Sequence, residues 1–75
     1  MLEKIKKILK EELFVQEDIT IDSNLRDDLH IDSVAVIELS LQLESEYNIS
    51  IKQEELFSVV TVNDIIKLLE SKGVS

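Results

Sequence analysis

Seventy-five residues allow one small domain with a thin core, because a chain of this length buries only about 60% of the surface that it exposes when unfolded. With no cysteine there is neither a disulfide framework nor a thiolate metal site, and a net charge of −8 argues against nucleic acid or an anionic membrane as partner. No stretch is long and apolar enough to span a bilayer, and Met1 to Phe14 alternates Lys and Glu with apolar residues, so no signal peptide is expected and a cytoplasmic, soluble, monomeric protein is the default.

Leu2, Ile5, Leu9 and Leu13 recur every three or four residues, which predicts a first helix with one buried face. Ile8 and Phe14 are expected to broaden that face. Val15 to Asp32 follows without a sustained period, a long connection for a compact domain unless it packs down or carries function. Ile19, Ile21, Leu25 and Leu29 should pin it across the helix ends, the last two from one brief helical turn. Asp22, Ser23 and Asn24 should form a turn or local cap. Ile19 and Ile21 alternate like a strand, yet no second strand candidate is present to pair with them.

Ser33 to Tyr47 is the most regular helical stretch, with Asp32 as its N-cap candidate and Ser33 in its first turn. There the free N–H groups and the helix dipole favour a negative group such as phosphate. At 100° per residue two apolar stripes separate, Val36, Leu39, Leu43 and Tyr47 on one side and Val34, Ile37 and Leu41 on the other. Together they exceed the single face that a surface helix buries. Either the helix is wedged between neighbours, or the second stripe, flanked by Ser33, Glu38 and Glu44, stays exposed for a partner. Asn48 should end the helix in a left-handed conformation. Glu54 to Val59 reads as a brief third helix, and Thr61 with Asp64 as a capping box for a last helix that buries Val62, Ile65, Ile66, Leu68 and Leu69 and stops at Gly73.

The acidic charge is concentrated between Val15 and Val60, where Glu17, Asp18, Asp22, Asp27, Asp28, Asp32, Glu38, Glu44, Glu46, Glu54 and Glu55 face only Arg26 and Lys52. A solubilising shell and a surface that steers basic partners toward Ser33 both fit this pattern. Catalysis does not. His30, Asp32 and Ser33 are near-neighbours in sequence, whereas a hydrolase triad converges from separate segments, and no glycine-rich elbow presents the serine. Asp18, Asp22 and Asn24 lack the spacing and glycine of a calcium loop, so no metal site is expected.

Leu29-His30-Ile31-Asp32-Ser33-Val34, then Ile37-Glu38-Leu39, Leu43-Glu44 and Glu46-Tyr47, resembles the Asp-Ser-Leu segment and following helix of acyl carrier proteins. The register continues through Ile51, Glu54-Glu55, Val59 and Thr61-Val62 to Ile66 and Leu69, nearly the whole chain. His30 stands where many members have glycine, Val34 where leucine is usual, Ala35 where an acid is frequent and Lys52 where many have proline. The resemblance implies an all-α bundle of three principal helices plus one short helix with a long first loop, a single domain over residues 1–75. It implies 4′-phosphopantetheine from coenzyme A on Ser33, attached by a phosphopantetheinyl transferase. It also implies partner contacts at Asp32, Val34, Ile37, Glu38, Leu41 and Glu44 for acyl-loading and acyl-processing enzymes with basic docking patches. Such a protein is no enzyme; it holds acyl groups as thioesters for fatty-acid or specialised pathways. The alternatives are a D-alanyl or aminoacyl carrier, and an unmodified acidic helical interaction module.

Overall fold

The computed structural model describes residues 1–74. Helix α1 spans Leu2–Glu11, α2 Ser33–Tyr47, α3 Gln53–Leu56 and α4 Val62–Ser71, and the described residues form no strand, so the fold is all-α as expected. The core is assembled from one stripe of each helix: Ile5, Ile8 and Leu9 of α1, Val36, Leu39 and Leu43 of α2, Leu56 of α3 and Val62, Ile65 and Leu69 of α4. Removing these side chains from water is what holds helices of 10 to 15 residues, marginal in isolation, in place.

The first loop completes that core. Val15, Ile19, Leu25, Leu29 and Ile31 are all buried, the Leu25–Leu29 turn being closed by Leu29 N–H donating to Asn24 O at 3.1 Å. Asn24 Oδ1 accepts from the N–H groups of Arg26 and Asp27, the local cap anticipated for that segment. Two expectations fail here. Ile21 is exposed and contributes only its carbonyl, which accepts from Asn63 N–H at 2.9 Å. Phe14, assigned to the inner face of α1, is instead 77% exposed, because the helix ends at Glu11 and the chain turns at Phe14 with φ 58°. Ile19 and Ile21 form no strand, but farther along the loop Asn24 and Thr61 form an isolated antiparallel bridge with the stretch before α4, with Leu25 N–H on Val60 O at 2.9 Å and Val62 N–H on Ser23 O at 3.1 Å.

Helix ends follow local chemistry. Asn48 takes the left-handed conformation at φ 54° after α2, and Gly73 at φ 86° lets Val74 N–H return to Leu69 O after α4. The short α3 begins one residue earlier and ends three residues earlier than anticipated, since the Ser58 hydroxyl takes Glu55 O at 2.7 Å and Asp64 captures Val60 N–H at 3.0 Å, which ends the helical ladder. Glu55 anchors it by accepting from Lys52 N–H and from Nζ of Lys72, the C-cap of α4, at 3.0 Å.

Asp64 closes the capping box: its Oδ2 accepts from Val60 and Thr61 N–H, and Thr61 Oγ1 accepts from Asp64 N–H at 3.2 Å. These backbone donors hold its carboxyl below the ordinary value of 3.8. The stabilisation is therefore present above that value and is lost as pH falls through the lowered one. Asp64→Asn is expected to cost about 0.5–1 kcal/mol at neutral pH. In thermal melts the deficit should shrink below pH 3.8 as the wild-type carboxyl protonates; a deficit independent of pH would contradict this role.

Candidate acyl-carrier site

Asp32 is extended and its Oδ1 accepts from Ala35 N–H at 2.8 Å, while its carbonyl accepts from Val36 N–H at 2.9 Å. The cap fixes the direction in which α2 departs and leaves Ser33 as its first residue. Among the described residues the N–H groups of Ser33 and Val34 have no protein acceptor, so two donors at the positive end of the helix dipole are available beside the Ser33 hydroxyl. That hydroxyl is exposed and unbonded, whereas those of Ser40, Ser58 and Ser71 each donate to a carbonyl three residues back. Ser45 and Ser50 are also exposed, but lie at the far end of α2 and in the following link.

At the foot of Ser33 opens a cleft of about 290 Å³, lined by Leu25, Arg26, Val36, Leu56, Phe57 and Val60 among others. Its apolar wall comes from α2, α3 and the α3–α4 link. Phe57 and Val60 are about half exposed, and sequence reasoning missed them because their position depends on the bridge to the first loop rather than on any local period. A phosphate ester fits this environment. The Ser33 and Val34 N–H groups suit its oxygens, and the adjoining apolar cleft is open to an attached chain.

The outer stripe of α2 stays uncovered: Val34 is 74% exposed, Leu41 56% and Ile37 40%. The inner stripe, Val36, Leu39 and Leu43, is buried, so α2 is a core helix on one side and an open apolar face on the other. Asp32 and Glu38 are exposed at its edges. Glu44 is half-buried, and its Oε2 accepts from Ile51 N–H at 2.9 Å, holding the link that follows α2. No local pattern signals that bond, because its partners lie seven residues apart across the end of α2. His30 lies just before the cap at φ 57°, with Nε2 3.6 Å from Glu17 Oε2. Among the described residues no cluster of His, Asp and Glu side chains is arranged to hold a metal ion, and no helix is long and apolar enough to cross a membrane.

Comparison with known proteins gives this geometry a class. The family model described as "Phosphopantetheine attachment site" matches residues 3–69. The chain is 38% identical over 73 residues to an acyl carrier protein of Petrotoga mobilis, covering 96% of this chain and 86% of that protein. It is 33% identical over 72 residues to that of Coprothermobacter proteolyticus, covering 95% and 88%. The crystal structure of an acyl carrier protein from Thermotoga maritima superposes with a TM-score of 0.84 at 27% identity, over 93% of this chain and 82% of that one.

The chain thus belongs to the acyl carrier protein family. Its members are carriers rather than enzymes, bear 4′-phosphopantetheine, and work with phosphopantetheinyl transferases and acyl-processing enzymes.

Proposed function

We propose that Ser33 is the attachment residue and that the chain, acting as a single domain and a monomer, carries acyl intermediates for fatty-acid synthesis or a specialised acyl pathway in the cytoplasm. The observation that carries this is the free hydroxyl of Ser33 beside two unpaired N–H groups at the start of α2, above an apolar cleft. When bound, the prosthetic arm supplies a terminal thiol for thioesters, chemistry that a chain without cysteine lacks. Asp32 sets the helix start, Ser33 supplies the oxygen, and Val36, Leu56, Phe57 and Val60 offer an apolar wall to the cargo. Val34, Ile37 and Leu41, with Asp32, Glu38 and Glu44 at their edges, form the face on which enzymes with basic patches dock. Cargo identity, aminoacyl groups included, is then set by the enzyme that loads the arm.

The test is intact mass after incubation with coenzyme A and a broad-specificity phosphopantetheinyl transferase. A gain of about 340 Da, the mass of one phosphopantetheinyl group, is expected for the wild type and none for Ser33→Ala. Equal gain in both would overturn the assignment. A chain that gains nothing while a known carrier is modified in parallel would favour the unmodified docking module.

A further inference from the structure

Arg26 and Asp27 are the charged residues that the first loop contributes to the cleft at the foot of Ser33, whose apolar lining comes mainly from α2, α3 and the α3–α4 link. Arg26 is the one cation among the described residues that line it. Three hydrogen bonds fix where it stands. Its N–H donates to Asn24 Oδ1 at 3.0 Å, its carbonyl accepts from His30 N–H at 3.1 Å, and the buried Leu25 before it donates its N–H to Val60 O at 2.9 Å. The guanidinium itself is unengaged. Arg26 is exposed and, among the described residues, its side chain forms no hydrogen bond and no ion pair, not even with Asp27, whereas Lys4, Lys6, His30 and Lys72 each face a carboxylate.

An arm esterified to Ser33 brings an anion to this cleft. Its phosphorus is bonded directly to the Ser33 oxygen, so the phosphodiester stays at the cleft that Ser33 and Arg26 both line. The charge is added to a protein already at −8, next to Asp32 and in a cleft shared with Asp27. Asp32 has one carboxylate oxygen on Ala35 N–H, and Lys52, the other Lys or Arg between Val15 and Val60, caps α3 and does not line the cleft. The helix start offers the N–H groups of Ser33 and Val34 to the ester oxygens, and the loop adds a guanidinium, whose planar fork of N–H donors matches phosphate oxygens.

We propose that Arg26 is a positioning residue for the prosthetic arm: its guanidinium holds the phosphodiester on Ser33, so that the arm leaves along the apolar lining of the cleft. This rests on the assignment of Ser33 as the modified residue; it adds a residue outside α2 and names the group that residue takes.

The experiment compares apo and holo forms of the wild type, Arg26→Gln and Lys52→Gln, with loading verified by intact mass, in thermal melts and by phosphorus NMR. Loading is expected to lower the midpoint by roughly 2–8 °C more in Arg26→Gln than in the wild type or Lys52→Gln. The phosphorus resonance of the holo protein should move in Arg26→Gln and stay in place in Lys52→Gln. A purely structural part for Arg26 would lower the apo and holo midpoints equally and leave the resonance unmoved, which would overturn the proposal. Equal changes in Arg26→Gln and Lys52→Gln would overturn it too, since net charge alone would then account for them. A wild-type chain that gains no mass would overturn the Ser33 assignment, and this inference with it.

Discussion

Leu39→Ala is expected to lower the thermal midpoint by at least about 10 °C, whereas Leu41→Ala, two residues away on the same helix, should leave it nearly unchanged. Leu39 is 1% exposed and belongs to the stripe of α2 that faces α1, α3 and α4 across the core. Truncating such a leucine costs about 2–5 kcal/mol, transfer and cavity together. A chain of this size has roughly 4–11 kcal/mol of stability in total, at about 0.05–0.15 kcal/mol per residue, so a large fraction is removed. Each kcal/mol shifts the midpoint of so small a domain by about 4–8 °C. Leu41 is 56% exposed and loses little packing, and surface changes of that kind stay within about 0.5 kcal/mol. Melts of the two variants by circular dichroism make the comparison; equal losses would mean that the outer stripe is covered in the free protein.

The second large effect concerns that outer stripe. Ile37→Arg should cut the kcat/KM of phosphopantetheinyl transfer about 30-fold or more while leaving the fold intact. A buried apolar anchor at the centre of an interface is worth about 2 kcal/mol or more. Here the loss is expected to be joined by repulsion between the new cation and the basic docking patch proposed for the enzyme. Glu38→Lys lies at the edge and should cost less, mainly through the association rate and with strong dependence on salt. Unaltered kinetics in Ile37→Arg, with unchanged far-ultraviolet dichroism, would show that this face plays no part in the encounter.

What could be read in the sequence is what local chemistry decides. The stripes of α1, α2 and α4, the Asp32 cap, the Asn48 stop and the Thr61–Asp64 box each depend on residues within one or two turns, and the structure has them, except that α1 ends before Leu13 and that Ile66 and Leu68 are half-buried rather than buried. Angular position likewise separates Leu39 from Leu41 into two stripes, but it leaves open whether the second is wedged against a neighbour or exposed, and only the packing of the other helices decides that Leu41 stays open. The failures are non-local. Whether Phe14 faces in or out depends on the Val15–Leu9 hydrogen bond, and Ile21 is exposed because only its carbonyl is needed where the first loop pairs with the segment before α4. The apolar wall beside Ser33 depends on that same pairing, so Phe57 and Val60 carried no periodic signal. His30 shows the two levels meeting. Its left-handed backbone at φ 57° is a conformation that favours glycine, which is the residue that the family resemblance implies there and which periodicity alone could not expose.

The central claim is that the prosthetic arm is attached to Ser33, and peptide-level mass spectrometry of the modified protein tests it most directly. Trypsin cleaves after Arg26 and Lys52, so Asp27 to Lys52 carries Ser33 together with Ser40, Ser45 and Ser50. Ser40 is buried with its hydroxyl on Ile37 O, but Ser45 and Ser50 are exposed and therefore genuine competitors. The fragment series is expected to place the added mass of about 340 Da on Ser33 alone. Its appearance on Ser45 or Ser50, or on any other peptide, would contradict the assignment.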